Sequence, residues 1–402
     1  MDKKTLDQFK KAVSRELKEN IIPFWMERTL DESHGGFVGR ISHDSRVEPN
    51  APKGLILNSR ILWTFSALYR HLKNSDYLKI AKRAFEYLTQ KFQDTHFGGY
   101  YWMLDYLGEP LDDKKKVYGQ AFMIYALSEY GMATEDQSVA DMTRDLFWLV
   151  ESKSHDDEYG GYFESYNRDW TLSKDLRLSD KDMDEKKSMN THLHVLEAYA
   201  SLYRLWKSDE VRTALKSLIE IILSHIIDPQ MHCFRLFFDE KWTSKTDMIS
   251  FGHDIEGSWL LTEAAETLGD TEIIKSVKAK SIQMAAAVEA HGLDRDGGLF
   301  YESSPRGIID SDKHWWPQAE AAVGFLNGYR ISKDERYLDI AYRSWKFIEK
   351  YIVDRKNGEW FWKVTKEGKP VTAEYKVSEW KCPYHNARAC LEILNRLDSV
   401  RL

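Results

Sequence analysis

The chain has 402 residues, 13% of them aromatic, and a formal net charge of −7. That modestly acidic balance excludes the basic footprint of a nucleic-acid binder, and the apolar runs stop well short of a membrane span. Cys233, Cys382 and Cys390 form no CxxC pair and make an odd count, as expected of reduced, buried thiols rather than a disulfide or zinc framework.

The first element, MDKKTLDQFKKAVSREL, reads as an amphipathic helix without the apolar stretch and cleavage site of a secretory signal; the expected location is the cytoplasm. After it comes the first of six similar pieces: HGGFVGRI near residue 34, FGGYYWML near 97, YGGYFESY near 159, HCFRLFFD near 232, DGGLFYES near 296 and NGEWFWKV near 357. They recur roughly every 60–70 residues, a spacing typical of supersecondary repeats. Five of the six place Gly ahead of alternating aromatics, the pattern of short hairpins or turn–strand units.

Two helical patterns fill each interval. One is apolar on most faces: LNSRILWTFSALYRHL, VYGQAFMIYALSEYG, NTHLHVLEAYASLYRLW, GHDIEGSWLLTEAAETLG, WWPQAEAAVGFLNGYR and YHNARACLEILNRL. The other is charged with a single apolar stripe, as in DYLKIAKRAFEYLTQKF or ERYLDIAYRSWKFIEKYI. A helix apolar all round is buried, and one with a single stripe faces solvent. Twelve alternating helices predict an all-α fold, an (α/α)6 barrel of six inner and six outer helices with short β-hairpins at the loops. An open solenoid needs polar capping repeats, and none is evident. No Pro/Gly/Ser-rich linker divides residues 1–402, so one domain is expected.

Most inner helices carry polar residues near the first turn and then run apolar: Asn58 and Arg60; Tyr118 and Gln120; Asn190, His192 and His194; His253 and Glu256; Trp315, Trp316 and Glu320; His385, Asn386 and Arg388. Parallel inner helices bring those turns to one end, where they predict a common pocket. His253 and Glu256 share a helix face, which suggests a carboxylate holding an imidazole. Asp254 reads as a first-turn carboxylate complementing the dipole. His192 and His194, two apart, cannot both face the pocket. His43, His71, His96, His155, His225 and His291 follow no repeat logic and read as surface residues. No HExxH or cysteine set completes a metal site, and the GG pairs sit before aromatics rather than in phosphate loops; neither metal nor cofactor is expected. Trp315, Trp316 and Trp380 near inner-helix starts favour a sugar, whose apolar ring faces pack on indoles while its hydroxyls need polar partners.

The motifs LNSRILW, VYGQAF, SMNTHLHVLEAY, GHDIEGSWLL, WWPQAE and EWKCPYHNAR resemble, in order and over nearly the whole chain, those of the cellobiose 2-epimerases in the N-acylglucosamine 2-epimerase superfamily. The resemblance implies an (α/α)6 barrel and cofactor-free epimerisation at C2 of the reducing-end sugar of a β-1,4-linked disaccharide: cellobiose to glucosyl-mannose, lactose to epilactose, and mannobiose as a further substrate. It implies His253 and His385 as the two general acid/base residues, with Arg60, His194 and Glu256 also essential. Tyr118, Asn190, Asp182, Trp315, Trp316 and Trp380 are implied as substrate contacts. Expected partners are the disaccharide alone, with no nucleic acid or membrane; oligomeric state is unreadable, a monomer being slightly favoured.

The chemistry suits these residue types. C2 of an opened aldose is α to the carbonyl, so losing its proton gives an enediolate, which needs a base and an electrophile at oxygen. A second acid/base across the cavity returns a proton to the other face; a neutral His385 and a protonated His253 fit those roles. Two other classes compete. An inverting glycoside hydrolase needs two carboxyls about 6.5–9.5 Å apart, and this rim is richer in histidine than in carboxylate. A non-catalytic binding protein needs no such histidine and arginine set.

Overall fold

The structure is a computed structural model that describes residues 1–400. The outer helices are α1 (Lys3–Glu16), continued through a π turn (Leu17–Ile21) into α2 (Ile22–Arg28), then α4 (Ser75–Tyr87), α6 (Gln137–Ser154), α8 (Asp209–Ile221), α10 (Thr271–His291) and α12 (Glu335–Phe347). The inner helices are α3 (Leu55–Leu72), α5 (Val117–Thr134), α7 (Met189–Leu205), α9 (Phe251–Leu268), α11 (Trp315–Ser332) and α13 (Tyr384–Asp398). Each inner helix packs on the next, and α13 returns to α3, closing the ring. This is the (α/α)6 arrangement expected from the alternation.

The two classes start differently. Every outer helix has a side-chain cap: Asp2, Asn74, Asp136, Ser208, Asp270 and Asp334 each accept a backbone N–H from the first turn, which satisfies donors the helix leaves unpaired. Inner helices mostly lack such caps. The first N–H of α3, α5, α7 and α11 instead donates to a carbonyl of the next aromatic segment, Trp102, Glu164, Leu236 and Trp362 respectively. Inner-to-outer turns are two or three residues long, so all long connections lie at the opposite end, where the inner helices begin.

Those connections repeat one design. Each aromatic piece closes on itself through an antiparallel bridge, Leu30–Phe37, Gln93–Tyr100, His155–Tyr162, Ile227–Phe234, Leu293–Leu299 and Val353–Trp360, as the turn–strand reading predicts. It also pairs across sectors. The strand before α3, β1 (Lys53–Gly54), pairs with β2 (Met103–Leu104), which continues to β3 (Pro110–Asp112); β4 (Lys115–Lys116) pairs with β5 (Ser165–Tyr166), and β6 (Lys187–Ser188) with β7 (Phe237–Phe238). Further on, β8 (Ile249–Ser250) pairs with β9 (Glu302–Ser304), which carries β10 (Gly307–Asp310), and β11 (Lys313–His314) pairs with β12 (Lys363–Val364). The short sheets therefore overlap from one sector to the next.

A buried lysine pins five of the six turns. Lys53, Lys115, Lys187, Lys313 and Lys376 reach Asp31, Asp94, Asp156, Asp294 and Asp354 at 2.7–3.0 Å. The HCFRLFFD sector breaks the series: Asp228 takes Arg235 instead, at 2.9 Å. At the seam, Glu359 accepts from Trp25 Nε1 (2.8 Å), Lys381 Nζ (2.6 Å) and Asn386 Nδ2 (2.7 Å), so one buried carboxylate ties the first helices to the last.

Candidate functional site

Helical phase decides which polar residues reach the axis. Successive residues turn by about 100°, so the fourth and sixth positions of a helix lie on nearly opposite sides. On α5, α7, α9 and α11 the fourth position faces outward and holds an aromatic segment, whereas Asn58 of α3 donates to the Gly54 carbonyl at 2.8 Å. The Gln120 amide bonds both the N–H (2.9 Å) and the C=O (2.8 Å) of Tyr100, and Gln318 does the same for Leu299. His192 Nε2 accepts the Tyr162 N–H at 2.9 Å, and Asp254 accepts the Phe234 N–H at 2.6 Å. Sixth positions face inward: Arg60, His194, Glu256 and Glu320, joined by His385 and Arg388 of α13. His192 is thus a tether, while His194 lines the cavity.

The cavity at this end has a volume of about 540 Å³, within the usual range for a small-molecule site. Arg60, Tyr118, Asp182, Asn190, His194, His253, Glu256, Trp315, Trp316, Trp380 and His385, drawn from every quarter of the chain, all line it. Residues 176–183 of the connection between β5 and β6 form part of its wall. Lys116 holds that loop, donating to the carbonyls of Arg177 and Leu178 at 3.0 Å each. Asp182 stands on it, accepting from Ser179 N–H and Oγ–H at 2.8 and 2.7 Å.

At the base, Arg388 is surrounded by carboxylates. It donates to Glu256 (2.6 Å), Glu320 (2.7 Å) and Glu197, and bonds Tyr384, which itself donates to Glu197 at 2.5 Å. Three buried carboxylates around one guanidinium cannot all ionise without strain. Burial and then Glu320 push the Glu256 carboxyl well above the usual carboxylate range. Glu320 is raised for the same first reason. For Glu197 burial also acts upward, but Arg388 and His194 prevail and hold it at about 2. Glu256, Glu320 and His385 bring ligand atoms within 4.8 Å of one another, the spacing of a metal site, but the Arg388 guanidinium occupies the cationic position between the two carboxylates.

Three cavity histidines are pinned through Nδ1. His385 lies 2.7 Å from Glu320 Oε1, His194 3.0 Å from Glu197 Oε2, and His253 2.8 Å from Ser250 Oγ. Nε2 is then the nitrogen left to meet a ligand. Trp316 stands against both outer histidines, its ring 4.7 Å from that of His253 and 5.6 Å from that of His385. The carboxylate that orients an imidazole is therefore not the one expected. Glu256 does not hold His253, because the third helical position turns toward the helix start and Ser250 while the sixth turns to the axis and Arg388. Burial lowers all three imidazoles, His253 to about 3, so the ligand-free site holds neutral histidines and the expected protonated His253 is not its resting state.

Arg60 is buried at 3% exposure. The Tyr118 hydroxyl lies 2.9 Å from it, and the faces of Phe122 and Tyr384 lie 4.2 and 4.8 Å from its guanidinium carbon. Among the described residues no carboxylate lies within ion-pair distance of it, and its Nε has no partner. The six inner helices add their positive N-terminal ends at the same level. The cavity therefore suits an anion that forms between its histidines.

Several residues here were not singled out in the sequence. Glu197 and Tyr384 complete the Arg388 cluster; His194 and Glu197 have the His-x-x-Glu spacing noticed at 253–256, and that was the available signal. Glu320 and Arg388 were placed on the rim without a role. His314, 5% exposed, also lines the cavity. The histidines read as surface residues are exposed or half-buried, and the three cysteines are free and buried. Among the described residues no helix is long and apolar enough to cross a membrane.

Asp254 departs from its expected role. It is no dipole-complementing anion: burial pushes its carboxyl up to about 8, opposed only by the Phe234 N–H. A carboxyl raised on folding contributes stability that is lost as pH rises toward the folded value. Wild-type stability is expected to fall by on the order of 2 kcal/mol between pH 6.5 and 8.5 from this group. Asp254→Asn keeps the acceptor and removes the titration, so denaturant unfolding at the two pH values should show a flatter profile. An unchanged slope would mean that Asp254 is already ionised.

A family profile described as N-acylglucosamine 2-epimerase (GlcNAc 2-epimerase) matches residues 35–389. A cellobiose 2-epimerase of Bacteroides fragilis is 45% identical over 386 residues, covering 96% of this chain and 98% of that protein. The structure of a cellobiose 2-epimerase from Bacillus thermoamylovorans superposes with a TM-score of 0.93 at 39% identity, covering 97% of this chain and 100% of that one. A glycoside hydrolase family 76 α-mannanase from Bacteroides thetaiotaomicron, 12% identical with a TM-score of 0.67 over 95% of this chain and 97% of its own, shares the fold alone.

Proposed function

The chain belongs to the N-acylglucosamine 2-epimerase family and is a carbohydrate epimerase; from that premise we propose that it inverts C2 of the reducing-end sugar of β-1,4-linked disaccharides, without a cofactor. Cellobiose would give glucosyl-mannose, lactose would give epilactose, and mannobiose is a further substrate. The observation that carries this reading is the buried Arg60 guanidinium, free of any carboxylate among the described residues, in one cavity with two histidines pinned through Nδ1.

In this proposal the sugar enters as a ring. Neutral His194, whose Nδ1–H donates to ionised Glu197, takes the C1 hydroxyl proton at Nε2 and passes it to the ring oxygen as the ring opens, while Arg60 donates to the C1 oxygen that becomes the aldehyde. Neutral His385 Nε2 takes the C2 proton, and Glu320 at Nδ1 stabilises the imidazolium that forms, the geometry of a base and its orienter. Negative charge moves to the C1 oxygen, where Arg60 is permanently cationic and the helix N-termini add to the field. That charge also raises the pKa of nearby His253, which takes up a proton from solvent and delivers it to the opposite face of C2 as the general acid, while His385 releases the abstracted proton to solvent. The two histidines exchange roles in the reverse direction. Tyr118, Asn190 and Asp182 meet hydroxyls, while Trp315, Trp316 and Trp380 cover ring faces. Three free, buried thiols support a reducing compartment, the cytoplasm, as the proposed location.

Turnover of cellobiose in deuterium oxide tests the reaction. Deuterium is expected at C2 of the epimer, read by NMR; an epimer carrying only protium there would exclude proton exchange. The same spectra report free glucose, the product a glycoside hydrolase would release.

A further inference from the structure

We propose that Asp310 and His314 together hold a hydroxyl of the sugar ring distal to the reacting one, and so determine which disaccharides the cavity accepts; the proposal rests on reading the cavity as a disaccharide site. The position follows from a column of rings that runs outward from the reacting histidines. His385 meets Trp316 at 5.6 Å, Trp316 meets Tyr301 edge-on at 6.2 Å, and Tyr301 is stacked on His314 with centroids 3.8 Å apart and planes 11° apart. His314 thus lies two aromatic layers from the reacting carbon, on the wall where a second pyranose would sit.

Two features show that this wall is built for a polar contact. His314 is buried, lines the cavity, and has no hydrogen-bond partner at Nε2; an unsatisfied buried nitrogen is unfavourable unless something supplies the missing bond. Asp310 reaches the same place through a bulge. In the β9–β10 pairing Ile308 faces Ser303 but Asp310, not Ile309, faces Glu302. The extra residue, Ile309, is left 57% exposed and Asp310 is turned to the cavity, the kind of re-aiming bulges produce beside functional sites.

The carboxylate is fixed as well as aimed. Asp310 Oδ1 accepts the Asp312 N–H at 2.9 Å, and Oδ2 lies 3.9 Å from His314 Nε2. That gap is too long for a direct hydrogen bond. A hydroxyl at about 2.8 Å from each bridges it, donating to Asp310 and accepting from a His314 Nε2–H. Burial, with Lys363 and Lys181 nearby, pushes the His314 imidazole down to about 3, so the ring is neutral and offers one N–H and one acceptor nitrogen. A neutral donor beside a carboxylate fits a sugar hydroxyl better than a second anion.

The test is a cycle between protein and ligand, read both as Kd by calorimetry and as kcat/KM. Cellobiose is compared with analogues in which each distal-ring hydroxyl in turn is replaced by hydrogen. Wild type is expected to lose about tenfold for one analogue. His314→Phe, which keeps the stack on Tyr301, and Asp310→Ala, whose side chain is 35% exposed and outside the core, should each reduce that loss to below twofold. Analogues altered on the reacting ring should keep their full loss in both variants. Variants that retain the wild-type ratio for every distal analogue would overturn the proposal. Because Kd is measured separately, a chain that binds cellobiose without epimerising it refutes the reaction above, while the ratios still decide the subsite.

Discussion

His385→Asn is expected to fold and bind disaccharide yet lose about 10²–10⁴-fold in kcat, the usual contribution of a positioned acid or base. Asparagine can still donate to Glu320, so the buried carboxylate keeps a partner and the loss falls on chemistry. A two-base site makes a sharper forecast than loss of rate. With one imidazole removed, the other still exchanges the C2 proton of the epimer it faces. His385→Asn should therefore exchange that proton with solvent deuterium in one epimer only, and His253→Asn in the other. Isotope incorporation into unconverted sugar, followed by NMR, checks both. A kcat within tenfold of wild type, or exchange into both epimers, would remove His385 from the role assigned to it.

Arg388→Met is expected to cause the largest loss of stability in the molecule. The guanidinium bonds Glu197, Glu256 and Glu320 and packs its central carbon 4.1 Å from the Tyr384 ring and 4.7 Å from the Trp259 ring. Methionine keeps some of the packing and none of the charge. Removing one member of a buried ionic group costs about 3–5 kcal/mol, because its partners stay buried without compensation. The sign of the pH dependence is also fixed. Without the cation all three carboxyl pKa values rise, that of Glu197 from below its unfolded value and those of Glu256 and Glu320 further above theirs, so the deficit against wild type should shrink as pH falls and the carboxyls protonate. Denaturant titrations at pH 7.5 and 5.5 measure both. A deficit under about 1 kcal/mol at pH 7.5 would show that the cluster does not need its cation.

The fold was legible because its signal is local. Helix type follows from the width of the apolar stripe, and the six aromatic pieces mark the period. Convergence of the polar first turns was legible for the same reason, and all eleven expected site residues line the cavity. What sequence could not supply is partnership across the axis. His253 and Glu256 share a helix face, but their partners, Ser250 and Arg388, are set by which helix stands opposite. Counting residues from each helix start would have separated tether from cavity residue at Asp254 and Glu256 and at His192 and His194, since the phase is a property of the sequence once the start is known. The lysine–aspartate pins and the cross-sector strands join segments tens of residues apart, with no shared periodicity to announce them.

The order of the ring closure has a consequence for synthesis. Tyr384, His385 and Arg388 belong to the last inner helix, whereas Glu197, Glu256 and Glu320 precede them by at least 64 positions. A nascent chain emerging from the ribosome thus displays its acidic residues well before their counter-ion exists. Until α13 packs between α11 and α3, the open ring cannot bury those acids cheaply and lacks His385, which stands in the first turn of α13. Topology thus makes the cavity depend on closure of the ring: its acids and His385 meet only once α13 docks between α11 and α3.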